Sequence, residues 1–349
     1  MRKLVLLITI AFFGYTLFTA CNSDKKADTK TAEVGAINEE ELHTKAKAIF
    51  KVLDDKMPGA DKDTPALVAL GKKLYFETKL SSTGTQSCNS CHNLNGGNAG
   101  VDNMATSEGA VKGNFGNRNS PTTLNAGFHF VQFWDGRAID LKEQAKGPIL
   151  NPVEMGMKDE KTVVKVISSV PEYKTMFAEA YSEAKDKITY DNLANAIAAF
   201  ERTLVSKSRF DDYLAGDKNA INSDEKKGMA LFMESGCNTC HGGALLGGNM
   251  YQKMGLINPY SNIKDLGRFE VTKNEADKFM FKVPSLRNVG KTAPYFHDGA
   301  VKDLNEAVKQ MAWMQLNKKL TDSEISSIVK FLISLSDKRF DQNLSIAKN

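Results

Sequence analysis

The most restrictive feature of the 349-residue chain is a short pattern that it carries twice. In "QSCNSCHNL" (86–94), Cys88 and Cys91 are followed directly by His92, and Cys237, Cys240 and His241 repeat the arrangement about 145 residues later. Cys-x-x-Cys-His is the attachment pattern of c-type haem: two thiols add across the porphyrin vinyl groups, and the adjacent histidine is placed under the iron. Zinc is the chief competitor, but zinc-binding pairs usually stand closer together in sequence. A redox dithiol calls for a βαβ setting, which this chain does not show, and a disulfide has no use for the histidine. Every cysteine except Cys21 belongs to one of the two motifs. The expectation is two covalently held haems.

The duplication reaches beyond the motif. "GKKLYF" (71–76) precedes the first copy and "GMALFM" (228–233) the second, sharing G-x-x-L-[YF], with eight more residues between leucine and cysteine in the first. This reads as two related units with the insertions concentrated in the first.

The N-terminus describes export. "MRK" precedes the apolar run "LVLLITIAFFGYTLFTA", which ends in small residues before Cys21. A basic start, a short apolar stretch and a cysteine at the cut predict a lipoprotein-like signal over 1–20, with a lipid anchor on Cys21. Residues 21–38 are polar and read as a flexible tether. The mature chain is then periplasmic and membrane-held only through that lipid. A formal charge of +4, two charges of which (Arg2 and Lys3) lie in the leader, gives no reason to expect a nucleic-acid partner.

The remaining signals are helical. Leu193, Ile197, Phe200 and Leu204 form one apolar stripe. "TDSE" (321–324) is a capping box ahead of Ile325, Ile328, Val329, Leu332 and Leu335. Residues 40–53 and 64–76 are helical as well, and no sustained alternation marks a strand. Long Gly-, Asn- and Pro-rich loops at 92–127 and 242–268 suit the walls of a haem pocket. The fold class is all-α: two cytochrome c-like haem domains with long irregular loops, over 39–205 and 206–340, and a tail at 341–349.

Three blocks, "FHFVQFWDGRAIDLKEQAKGPILNPVEMG" (128–156), "GRFEVTK" (267–273) and "VPSLRNVGKTAPYFHDGAVKDLNEAVKQM" (283–311), resemble the bacterial dihaem cytochrome c peroxidases, and the likeness runs over about 40–340. It implies that the haem on Cys88, Cys91 and His92 is the low-potential peroxidatic site. The haem on Cys237, Cys240 and His241 would be the high-potential donor, with Met311 as its sixth ligand. Trp134 would lie between the haems, and Gln144 and Glu154 would form the distal pair. Calcium would take the Asn119 side chain and the carbonyls of Thr292 and Pro294. The reaction implied is reduction of hydrogen peroxide to water, fed by a monohaem cytochrome c or a cupredoxin, in a chain that can form a homodimer. Judged by residue type alone, a tryptophan is more often core and a glutamate more often surface.

One position departs from the family pattern. Many members carry a histidine in a loop stretch like "TSIGHG", where it caps the peroxidatic iron until the other haem is reduced. Here the stretch is "TSEGAV" (106–111), with Ala110 in the histidine's place. The peroxidatic haem is therefore expected to be open in the fully oxidised enzyme, without reductive activation. His129, the one histidine nearby in sequence, is expected to pack beside Trp134 rather than ligate. Two other functions fit such a fold: a dihaem oxidase that modifies a protein, to which Met311 is unsuited because those enzymes carry tyrosine there, and a dihaem electron carrier, in which Gln144 and Glu154 would be idle.

Overall fold

Two helix pairs, each locked by a glycine, organise the chain. The computed structural model describes residues 38–95 and 99–340. The expected leader, nearly all of the tether, Cys21 and the tail lie outside the described residues.

The α-helices are α1 (Glu39–Ile49), α2 (Pro65–Tyr75), α3 (Cys88–Cys91), α4 (Leu141–Leu150), α5 (Glu160–Ser168), α6 (Pro171–Ala180), α7 (Tyr190–Glu201), α8 (Arg209–Ala215), α9 (Ser223–Glu234), α10 (Phe269–Thr272), α11 (Leu304–Leu316) and α12 (Asp322–Ser334). Their starts follow the capping chemistry of the sequence. Thr64 accepts from Leu67 N ahead of Pro65, and Thr321 and Glu324 cap each other's backbone at the start of α12. Helix α7 stops at Glu201, short of the apolar stripe's Leu204, because Thr203 N and Leu204 N bond Phe200 O and Glu201 O in a tightened turn.

Helix α2 packs on α7, and α9 packs on α12. At the first crossing a Cβ on Gly71 would stand 1.8 Å from Ala196 O and 3.0 Å from Phe200 Cβ. At the second a Cβ on Gly228 would stand 1.8 Å from Ser327 O and 3.0 Å from Phe331 Cβ. The repeated glycine of G-x-x-L-[YF] is thus the point of closest backbone approach in each unit. Gly228→Ala should force the pair apart and cost about 1–3 kcal/mol, the range for an overpacked core. Denaturant midpoints of the haem-loaded protein check this; an unchanged midpoint would mean the crossing slides without penalty.

The first core gathers Leu70, Leu74 and Tyr75 of α2 against Ile149, Tyr173, Phe177, Leu193 and Ile197. The second gathers Phe210, Phe232 and Phe331 around Phe50. Phe50 leaves the helix predicted to run to residue 53: it is the extended C-cap of α1, and its ring is buried. Helix α1 and the extended segment after it therefore sit on the second unit although they precede the first. His43 Nε2 meets Tyr213 O at 2.9 Å, and Leu53 N donates to Asp211 at 3.1 Å. Asp211 also takes both arms of Arg287, at 2.6 and 2.7 Å, in a fully buried pair.

The long loops hold one small departure from an all-helical reading. Tyr251–Lys253 (β1) pairs antiparallel with Met280–Lys282 (β2), Tyr251 opposite Lys282. Among the described residues no helix is long and apolar enough to cross a membrane.

Candidate active site

Each motif histidine is oriented by a backbone carbonyl. His92 Nδ1 lies 2.8 Å from Pro121 O, and His241 Nδ1 lies 3.1 Å from Leu246 O. A proton on Nδ1 in each bond leaves Nε2 as the free lone pair, the arrangement that an iron ligand needs. Burial lowers both imidazoles, His241 to about 4, so both are neutral. The four motif thiols are free, and burial pushes Cys91 and Cys237 up to about 11. A redox dithiol would instead hold a depressed pKa. Among the described residues no group of three or more His, Cys, Asp and Glu is arranged to hold a metal ion.

The first motif opens onto a cavity of about 780 Å³, lined by Cys88, Cys91 and His92 together with Trp134, Gln144 and Glu154. The size falls in the range of cofactor pockets. Its donor set of two thiols and a neutral imidazole fits a c-type haem. Gln144 and Pro148 come from α4, and Glu154 from the turn that follows it, folded back by Met155 N on Pro148 O. Asn151 Nδ2 donates to Glu154 Oε1 at 2.8 Å. Burial raises the Glu154 carboxyl above its ordinary value, against the pull of Arg137 and the Asn151 bond. Arg137 is held over the Phe133 ring at 3.4 Å and bonded to Asp135 at 3.0 Å.

A second duplication relates the loops and helices that follow the two motifs. Asn125 and Asn288 are both left-handed and open a short turn (φ 64° and 63°), and Phe133 and Phe296 are both left-handed (φ 66° and 72°). Single bridges Gln132–Ala138 and Tyr295–Val301 follow. Asp140 and Asp303 then cap α4 and α11. In this register Trp134 matches His297, and Pro148 matches Met311. The second unit has a half-buried thioether where the first has a ring that cannot ligate. Sequence reading missed Pro148; the matched Asn, Phe and Asp positions were the signal that could have found it.

Trp134 Nε1 donates to Asn119 O at 2.9 Å, and Asn119 N donates to His297 O at 2.8 Å. The Asn119 side-chain amide is anchored through Nδ2 on Met104 O at 3.0 Å. Asn103 Nδ2 bonds the carbonyls of Lys291 and Ala293, leaving those of Thr292 and Pro294 without a hydrogen bond among the described residues. The three expected calcium donors are neutral oxygens.

Ala110 is fixed by its amide, which donates to Glu154 O at 2.6 Å. A Cβ on neighbouring Gly109 would meet Val153 O at 2.3 Å, so the loop lies flat on the Glu154 turn. His129 lines the cavity but is bonded through Nδ1 to Lys282 Nζ at 2.7 Å. Lys282 N in turn donates to Trp134 O at 2.7 Å.

Glu201 at the end of α7 also escaped the sequence reading. It is buried, its Oε2 has no partner among the described residues, and burial pushes its carboxyl up to about 8. The unfolded chain ionises near 4.5, so between the two values the folded state keeps a proton that the unfolded state sheds. The stability due to this group is present at low pH and lost as pH rises through about 8. Relative to Glu201→Gln, the native protein should lose stability from pH 5 to pH 8, at up to about 1.4 kcal/mol per unit. Denaturant melts of both proteins across that window test it; parallel curves would refute it.

Comparison with known proteins agrees with this geometry. The family model for di-haem cytochrome c peroxidase matches residues 65–219, and that for cytochrome c matches 225–336. The chain is 49% identical over 282 residues to a cytochrome c551 peroxidase of Nitrosomonas europaea, covering 80% of this chain and 83% of that one. It is 45% identical over 309 residues to the Pseudomonas aeruginosa enzyme of the same name, covering 85% and 87%. Likeness to a methylamine utilization protein MauG of Methylorubrum extorquens is lower, 37% over 258 residues, covering 72% and 69%. A solved MauG-like protein associated with microbial copper homeostasis superposes with a TM-score of 0.73 at 27% identity, over 83% of this chain and 95% of the other. Two cytochrome c-like units, two haem-attachment motifs and these relatives make the chain an oxidoreductase of the dihaem cytochrome c peroxidase family.

Proposed function

We propose that this chain reduces hydrogen peroxide to water in the periplasm, using electrons from a small redox protein, and that it does so without prior reductive activation. The observation that carries the reading is the one-sided pocket: Glu154 and Gln144 face the first motif, and Pro148 stands where the other unit has Met311.

Haem, once attached at Cys88 and Cys91 and at Cys237 and Cys240, supplies the iron and the two electrons that the reduction takes. The side chains do the rest. His92 and His241 would hold the haem irons through Nε2, and Met311 would offer its sulfur to the second haem. Glu154 carries the proton: ionised, it accepts one from the inner peroxide oxygen, and it returns that proton to the outer one as the O–O bond breaks. Asn151 and Arg137 keep this carboxylate aimed and partly ionised despite its burial. Gln144 orients peroxide by hydrogen bonding without competing for the proton. Trp134, anchored on Asn119 O, lies on the route between the units.

Calcium at the Asn119, Thr292 and Pro294 oxygens would stiffen that anchor, and its all-neutral donor set implies weak binding. The lipid anchor on Cys21 and division into haem units at 39–205 and 206–340 complete the reading. The test is steady-state peroxide consumption with a reduced monohaem cytochrome c or cupredoxin, starting from fully oxidised enzyme and from enzyme pre-reduced by one electron. Immediate turnover from the oxidised form is expected. Turnover only after pre-reduction would place a capping ligand on the iron, and none in either state would leave an electron carrier or a protein-modifying oxidase.

A further inference from the structure

Lys282 is an unusual residue for the wall of a cavity. Its side chain is buried, at 4% exposure, and among the described residues no carboxylate forms an ion pair with it. The nearest acid that acts on it, Asp135, is already engaged by Arg118 at 2.6 Å and Arg137 at 3.0 Å. Among the described residues the amine has one hydrogen-bond partner, His129 Nδ1 at 2.7 Å. With the ammonium donating there, His129 carries its proton on Nε2, and among the described residues that buried atom has no partner. Two donors are therefore held side by side, and both residues line the cavity that contains Cys88, Cys91 and His92. Without an anion, burial drags the amine down to about 7. A buried amine lacking a counter-charge is costly, and the site is completed by one carboxylate.

The group expected in this cavity brings such carboxylates. A haem bound through its vinyl carbons has two propionates, on the edge of the macrocycle away from those vinyls. We propose that Lys282, with His129 behind it, receives a haem propionate and acts as a positioning residue for that haem's reduction potential. The proposal rests on haem being attached at the first motif. Lys282 belongs to the second unit, so the contact would tie the first unit's haem to its neighbour. The Lys282 backbone, bonded to Trp134 O, joins the same strut to the residue between the units.

The experiment is a spectroelectrochemical titration of both haems in the two-haem protein, comparing native chain with Lys282→Met and Lys282→Arg. Methionine removes the charge at similar volume and cures the burial cost, so folding is not at risk from an unpaired amine. With the ammonium gone, the propionate's negative charge favours ferric iron. The expected result is a roughly tenfold shift of one haem's reduction equilibrium toward the oxidised form, about 59 mV downward for one electron, with arginine restoring most of it. A shift at the first haem supports the proposal, and a shift confined to the second overturns it. Unchanged potentials at both haems overturn the proposal. Should the methionine variant fail to fold, His129→Leu, which removes the imidazole N–H and leaves the amine in place, must move the same potential downward, and no movement would again overturn it. Haem content of the native chain, two per protein by absorbance, reports separately on the functional reading.

Discussion

Glu154→Gln is expected to lower kcat for peroxide reduction by about 10²–10⁴-fold, the range for a positioned general acid–base group, while both haem spectra stay as in the native enzyme. The substitution keeps the shape of the side chain and the oxygen that Asn151 Nδ2 reaches at 2.8 Å. What it removes is the capacity to accept and return a proton. Loss of a positioning contact would appear chiefly in KM; loss of proton transfer appears in kcat. The pH profile separates the roles further. The ionised form does the work, so native activity falls as pH drops through the Glu154 pKa, which burial sets above the ordinary carboxylate value. In the glutamine variant that acid limb should vanish from the residual rate. A variant with native kcat would remove Glu154 from the mechanism and pass the proton to solvent.

The ease of reading this sequence varied with how local each signal was. The two Cys-x-x-Cys-His motifs, the Thr64 and Thr321 caps and the stripe of α7 are patterns of near neighbours, and the helices followed them. The glycine of G-x-x-L-[YF] was legible as a repeat, but its reason lay across the fold, in carbonyls of Ala196 and Ser327 far along the chain. The packing of α1 on the second unit was hidden for the same cause, since Phe50 meets Phe210, Phe232 and Phe331 only after the chain returns. Glu201 and Lys282 were invisible because a charged residue in a sequence reads as surface. Only the fold shows that, among the described residues, neither forms an ion pair. Trp134, Gln144 and Glu154 stood out through family likeness rather than residue type, and all three line the same cavity.

If the proposed activation-free turnover holds, Ala110→His should convert the enzyme into one that must first be reduced. In the native chain nothing at this position can ligate: the side chain is a methyl group, and the amide is spent on Glu154 O at 2.6 Å. An imidazole there must draw the loop off the Glu154 turn to reach iron, losing that hydrogen bond at about 1 kcal/mol. Packing opposes the move as well, because Gly109 lies against Val153 O with no space for a Cβ. A ligand bond to ferric iron outweighs both costs, so the diferric variant should show a low-spin, bis-histidine first haem. Its oxidised-start rate should fall at least tenfold and recover after one-electron pre-reduction, when the cap is released. Glu154 would be disturbed in the same step, since the loop and the acid share a hydrogen bond; capping would therefore block the iron and misplace the proton carrier together. If the variant keeps an open first haem and its native oxidised-start rate, the grip of the Glu154 turn on Gly109 and Ala110 is the stronger force. The open site would then be a property of how this loop is held as much as of the missing histidine.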